Sequence, residues 1–184
     1  LKHSVVAMAL NTEVIEALSI QIVPQIETED RVKEAFDGFA EYYHIDPVDM
    51  DVDEYVGIIL VDGLRGAEEK LMDRIGELSE LIFIGGSAGD DLKFEQTWIY
   101  ANGQAYTDAA LLALLKPKAG FDFVKTQSFT PRPAKLVATK VNLQERKVIE
   151  FNDKPAAVAY AEAIGIPVDQ VEDHFMSSPI GLVI

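Results

Sequence analysis

Gly85-Gly86-Ser87-Ala88-Gly89-Asp90-Asp91 constrains this chain more than any other stretch. The apolar run Leu81-Ile82-Phe83-Ile84 precedes it and reads as a buried strand entering a sharp glycine-rich bend. Glycine permits φ > 0, so successive amides in such a bend can turn the same way, and small side chains let a partner approach the backbone. Two adjacent carboxylates close the segment. A ligand would meet N–H donors on one side and negative charge on the other, which suits a zwitterion better than a phosphate. The expected shape is an open cup, with amides from Gly86 to Gly89 receiving a carboxylate and Asp90 or Asp91 receiving an ammonium.

The same residues admit a catalytic reading. Gly85-Gly86-Ser87-Ala88-Gly89 satisfies G-x-S-x-G, the nucleophile-elbow pattern, which makes a serine hydrolase using Ser87 the alternative function. That mechanism needs a helix directly after the serine and a later acid and histidine. Here Asp90 through Glu95 lead into a hairpin, the carboxylates of Asp90 and Asp91 would oppose an oxyanion, and His174 is the one histidine after Ser87. No residue is therefore assigned as catalytic. A protein–protein interaction module without a small ligand is the second alternative.

Other motifs fail on spacing. The glycine segment lacks the Gly-Lys-Ser/Thr ending of a phosphate-binding loop. Asp49-Met50-Asp51-Val52-Asp53 opens like a calcium loop, but Glu54 stands where glycine is required and Leu60 where glutamate is required. His3, His44 and His174 are far apart, and no cofactor or metal is implied. Asp62-Gly63-Leu64-Arg65-Gly66 ends a second strand, and in parallel sheets binding loops gather at the carboxyl ends of strands. If the two strands are parallel neighbours, Asp62 and Asp90 converge on one crevice, and Arg65 can help hold a carboxylate.

Periodicity outlines the elements. Ser4–Leu10 reads as a strand; Val14–Val23 fits helix or strand and stops at Pro24. Thr28 or Asp30 can cap a helix whose Val32, Ala35, Phe36, Phe39 and Tyr43 form one stripe. Tyr55–Val61 has the composition of a central strand, and a helix from Gly66 to Leu78 joins it to the glycine segment as a βαβ crossover. Asn102-Gly103 between Thr97–Tyr100 and Ala105–Thr107 signals a hairpin. Strands are expected at Ala109–Leu115, Phe121–Phe129, Ala134–Val141 and Lys147–Phe151, with a turn at Asn142–Arg146. Helices are expected at Pro155–Ile164 and Asp169–Phe175, and a last strand at Ile180–Ile184. The fold class is mixed α/β (α+β), a layered mixed β-sheet with flanking helices and hairpins in the second half. Unpaired backbone at Ile180–Ile184 would favour a homodimer or strand exchange.

Charge narrows the partners. A formal net charge of −15 opposes nucleic acid, whose binding rests on Lys and Arg neutralising phosphates, and it opposes anionic membrane surfaces. No apolar run approaches the roughly 20 residues that span a bilayer. With no cysteine in the chain, disulfide and thiolate chemistry are excluded within it, in keeping with a cytoplasmic location.

Taken as a set, several segments resemble the N-terminal part of a FIST domain: Asp62-Gly63-Leu64 with Gly66-Ala67-Glu68-Glu69, then Gly85 through Phe94, Thr97, Asn102-Gly103, Ala109 through Leu115, Val137-Ala138-Thr139 and Lys154-Pro155-Ala156-Ala157. Phe175 with Ser178-Pro179-Ile180-Gly181-Leu182 resembles the opening of the family's C-terminal half. The resemblance implies an intracellular sensory module that binds a small ligand such as an amino acid and signals to an attached output domain. It implies two parts, residues 1–151 and a truncated 152–184. The family's usual N-terminal segment and most of its C-terminal half are not matched, so the chain reads as a fragment. The ligand-binding candidates are Asp62, Gly63, Arg65, Gly85, Gly86, Ser87, Ala88, Gly89, Asp90, Asp91 and Thr97.

Overall fold

The computed structural model describes residues 5–91, 93–126, 128–145 and 147–182. The chain forms two units, one ending at Val124 and the other starting at Lys125.

The first unit is built on a four-stranded sheet in the order β1-β6-β2-β3. Its strands are β1 (Ile15–Pro24), β2 (Val56–Asp62), β3 (Phe83–Ala88) and β6 (Ala109–Pro117). Helices α1 (Val32–Tyr43) and α2 (Glu68–Leu78) intervene, and β4 (Ile99–Ala101) and β5 (Gln104–Tyr106) form a separate hairpin. The ambiguous Val14–Val23 segment is thus a strand. Its partner β6 supplies nine residues of antiparallel ladder that a lone helical turn could not match.

Strand β6 explains why composition misleads. Ala109-Ala110-Leu111-Leu112-Ala113-Leu114-Leu115 is helix-forming by propensity, yet every one of these residues is buried in the sheet. Ala110, Leu112 and Leu114 meet Phe36, Phe39, Leu71 and Ile75 of the helices. Leu111, Ala113 and Leu115 meet Ile99 and Ala101 of the hairpin. A strand covered on both faces needs no polar alternation.

The expected stripe on α1 is observed: Val32, Ala35, Phe36 and Phe39 are buried, and the Tyr43 hydroxyl donates to the Leu114 carbonyl at 2.6 Å. Its cap is not as expected. Arg31 occupies the N-cap without a side-chain bond, and neither Thr28 nor Asp30 fills that role. The hairpin turn has φ of 49° at Asn102 and 79° at Gly103, the left-handed pair that such a two-residue turn requires.

The second unit holds a three-stranded antiparallel sheet of β7 (Ala138–Asn142), β8 (Lys147–Phe151) and β9 (Lys154–Pro155), followed by α3 (Ala156–Ile164) and the short α4 (Val171–His174). Tyr160, Ala161 and Val171 form its core with Leu136, Ile164 and Ile166. Gly165 ends α3 with φ of 77°. The boundary expected between residues 151 and 152 falls at the turn between β8 and β9.

Several expected strands do not form. Residues 5–10 lack regular structure, with Val5, Val6 and Met8 largely exposed and no strand pairing with them among the described residues; Ser4 lies outside the described residues. The described part of Phe121–Phe129 is irregular, and β7 begins at Ala138, four residues later than Ala134. Residues 180–182 are not in a strand, and Val183 and Ile184 lie outside the described residues, as do His3, Leu92 and Arg146.

Candidate functional site

Strands β2 and β3 run parallel, joined by α2, with Asp62 opposite Ala88. The segments that follow them therefore leave the sheet at one end, as the sequence implied. The helix-facing side of this pair is closed by Phe83, Ile59 and Val61. Two glycines make the fit possible. A Cβ on Gly57 would fall 2.2 Å from the Phe83 ring, and one on Gly85 would fall 1.7 Å from the Ile59 carbonyl oxygen.

The glycine segment is not the bend that its composition suggests. Gly85, Gly86, Ser87 and Ala88 continue β3, and positive φ among the described glycines occurs only at Gly66, Gly103, Gly120 and Gly165. The amides from Gly86 to Gly89 therefore do not turn together into a cup of donors. The physical reason is pairing: ladder bonds to β2 continue through Ala88, and extended backbone directs successive amides to opposite sides. Ser87 likewise sits within a strand and not on an elbow before a helix. Its Oγ donates to Glu68 Oε1 at 2.8 Å.

Asp90 organises its own loop. Its carboxylate accepts the backbone N–H groups of Phe94, Glu95 and Gln96 at 2.9, 2.6 and 3.1 Å. Desolvation raises the pKa of this carboxyl, but the backbone donors outweigh it and hold the group below its ordinary value. Those bonds also secure Phe94 at φ of 57°, a conformation that a bulky residue adopts only under constraint. Asp91, at φ of 60°, and Gly89 are exposed.

Asp62 is enclosed. Its side chain is 1% exposed and accepts from the Thr97 hydroxyl, the Asp108 N–H at 2.7 Å, the Leu64 N–H at 3.2 Å and Arg65 Nε at 3.3 Å. Burial raises its pKa, but these donors together hold it below the usual carboxylate range. Arg65 also reaches Glu27 at 3.3 Å, so its guanidinium is engaged between two carboxylates. Gly63 lets the end of β3 come close, since a Cβ there would lie 2.5 Å from the Ala88 carbonyl oxygen. Asp62 and Asp90 are brought to adjacent positions of one segment, Thr97 and Gln96. They meet through the main chain and do not form the rim of an open crevice. Thr139 lies in the second unit, where its Oγ1 accepts the Asp153 N–H at 2.9 Å.

Beside this framework is a cavity of about 380 Å³ lined by Leu60, Gly86, Ser87, Ala88, Trp98, Ile99 and Tyr100. It lies on the sheet face opposite the helices, where the β4–β5 hairpin covers β6 but leaves Leu60 and Ile84 42% and 45% exposed. Trp98 and Tyr100 are 45% and 69% exposed beside it. Sequence reasoning missed both aromatics. The signal was present in the alternation Thr97-Trp98-Ile99-Tyr100, in which burial of Thr97 and Ile99 turns the two rings to the other side. Among the described residues, no group of three or more His, Cys, Asp or Glu could hold a metal ion, and no helix is long and apolar enough to cross a membrane.

A family model described as the FIST N domain matches residues 1–154. The uncharacterized protein MJ1623 of Methanocaldococcus jannaschii is 26% identical over 132 residues, covering 68% of this chain and 25% of that relative. The match thus spans about a quarter of that relative's length. No solved structure matches the chain.

Proposed function

This chain belongs to the FIST N domain family, and from that premise we propose that it is the ligand-binding part of a sensory module whose ligand is a small molecule of the amino-acid class. FIST domains are sensory domains of signal transduction. The observation that carries the reading is the cavity beside β3, whose lining includes Gly86, Ser87 and Ala88 of the expected ligand-binding set. Its size suits a small molecule. Its wall is largely apolar and aromatic, so the ligand's side chain, and not its charged ends, supplies most of the contact.

In this reading the groups divide their work. Trp98, Tyr100 and Leu60 take the apolar part of the ligand. Ser87 lends main chain to the lining, its hydroxyl being held by Glu68 at the start of α2, and exposed Asp91, three residues beyond the lining residue Ala88, attracts an ammonium group. Asp62, Arg65, Thr97 and Asp90 position the two loops. The module is non-enzymatic and cytoplasmic, and it acts on an output domain in the longer protein.

Isothermal titration against a panel of free amino acids tests this. Saturable heat that Trp98→Ala weakens is the expected result. Absence of heat with every amino acid, or heat unchanged in Trp98→Ala, refutes the proposal. Labelling of Ser87 by a fluorophosphonate probe would instead favour the hydrolase.

A further inference from the structure

The two edges of the main sheet are unlike. Strand β1 is guarded: a register shift lies between Ile15 and Ala17, Glu16 sits there, and Pro24 ends the strand. Bulges, charges and prolines are the usual devices that stop an edge from pairing. Strand β3 has none of them. Phe83-Ile84-Gly85-Gly86-Ser87-Ala88 is uncharged and contains no proline, and its register with β2 is unbroken. Among the described residues no strand pairs with its outer side, and residues 84–87 are exposed.

The cavity is lined in part by this same edge strand, through Gly86, Ser87 and Ala88. Gly86 is opposite Leu60 and lines the cavity with it, and a Cβ on Gly86 would meet nothing within 4 Å. A chain laid along β3 would therefore have main-chain partners and, one side chain over, an apolar slot between Leu60, Trp98 and Tyr100. Extended peptides are recognised by this combination of ladder bonds and alternate side-chain pockets.

Charge selects the occupant. Residues 79–98 carry Glu80, Asp90, Asp91 and Glu95 against one cation, Lys93. A second copy pairing antiparallel through β3 would set Glu80 of one copy beside Asp90 and Asp91 of the other, and like charges meeting at a strand pair are destabilising. A strand with basic ends meets the opposite field. We infer that β3 accepts an extended peptide segment as a fifth strand, with Lys or Arg at its ends and one apolar side chain seated between Leu60, Trp98 and Tyr100. This rests on the reading of the cavity as the ligand site and extends its ligand class from the free amino acid to an amino-acid side chain carried by a peptide.

The test is selection from a library of end-blocked six-residue peptides, matched to the six residues of β3. Enrichment of Lys or Arg at the ends around Phe, Leu, Ile or Val is expected. N-methylation of the selected peptide at alternate amides should weaken binding by at least tenfold at one set of positions and little at the other, because only one edge pairs. Gly86→Leu, which fills open space, should abolish binding while leaving the far-ultraviolet circular dichroism unchanged. No enrichment, or binding indifferent to N-methylation and to Gly86→Leu, overturns the inference. Saturable heat with free amino acids but no peptide selection would overturn it while leaving the small-ligand proposal standing. Sedimentation showing a dimer that Gly86→Leu dissociates would overturn it in favour of a second copy.

Discussion

The hydroxyl of Thr97 donates to the buried carboxylate of Asp62, joining the end of β2 to the entrance of β4 across 35 positions of sequence. Asp108, at the entrance of β6, donates its N–H to the same carboxylate. One side chain thus fixes three chain crossings at the end of the sheet where the cavity lies.

Asp62→Asn should lower unfolding free energy by about 2 kcal/mol, because hydrogen bonds to a charged acceptor are lost and an amide is turned toward donors. Thr97→Val should cost about 1 kcal/mol. Urea denaturation checks both. The pH dependence follows from the sign of the shift. The folded carboxyl titrates below its ordinary value of 3.8, so the unfolded chain takes up the proton first as the pH falls. Its stabilisation is whole above that value and vanishes as the pH falls through the folded pKa. Asp62→Asn should flatten this part of the acid limb.

Neighbouring glycines should answer differently. Gly85→Ala forces a methyl into the Ile59 carbonyl and should cost about 2 kcal/mol or more, whereas Gly86→Ala should change stability by less than about 0.5 kcal/mol. Equal denaturation midpoints for the two variants would contradict the close approach of β3 to β2.

Trp98 is the only tryptophan in the chain. Its emission should shift when a ligand fills the cavity, since a half-exposed indole loses water. Removing the ring in Trp98→Ala should weaken that ligand by about tenfold, which corresponds to about 1.4 kcal/mol. Titration followed by fluorescence and calorimetry measures both.

Asp90→Ala removes the acceptor for three consecutive amides. Hydrogen exchange at Phe94, Glu95 and Gln96 should accelerate, while amides of β6 keep their protection. Unchanged exchange in the loop would mean that the carboxylate does not organise it.

What the sequence disclosed follows its physics. The βαβ crossover was legible because β2 is β-branched and α2 is amphipathic. The hairpin was legible because Asn102-Gly103 has few other uses. The glycine segment misled because a small residue serves two ends: it permits a bend, and it permits close packing in a straight strand. Only the position of Ile59 beneath Gly85 distinguishes them, and that contact is non-local. Asp62 was identified as a residue of consequence from its place at a strand end. Its enclosure by Thr97 and Asp108 depended on a pairing that no local pattern announces. Trp98 and Tyr100 were hidden for a similar reason, since the hairpin's seating on β6 decides which of its faces is left open.

The two-sided burial of β6 bears on how the molecule is made. This strand lies between β1 and β2, so elements drawn from the first hundred residues have no common neighbour until Ala109–Pro117 emerges from the ribosome. A chain stopped before Ala109 would leave β1 and β2 without the one strand that pairs with both, and the aromatic surface of α1 without Ala110, Leu112 and Leu114. Translation must run almost to the end of this unit before the unit can close.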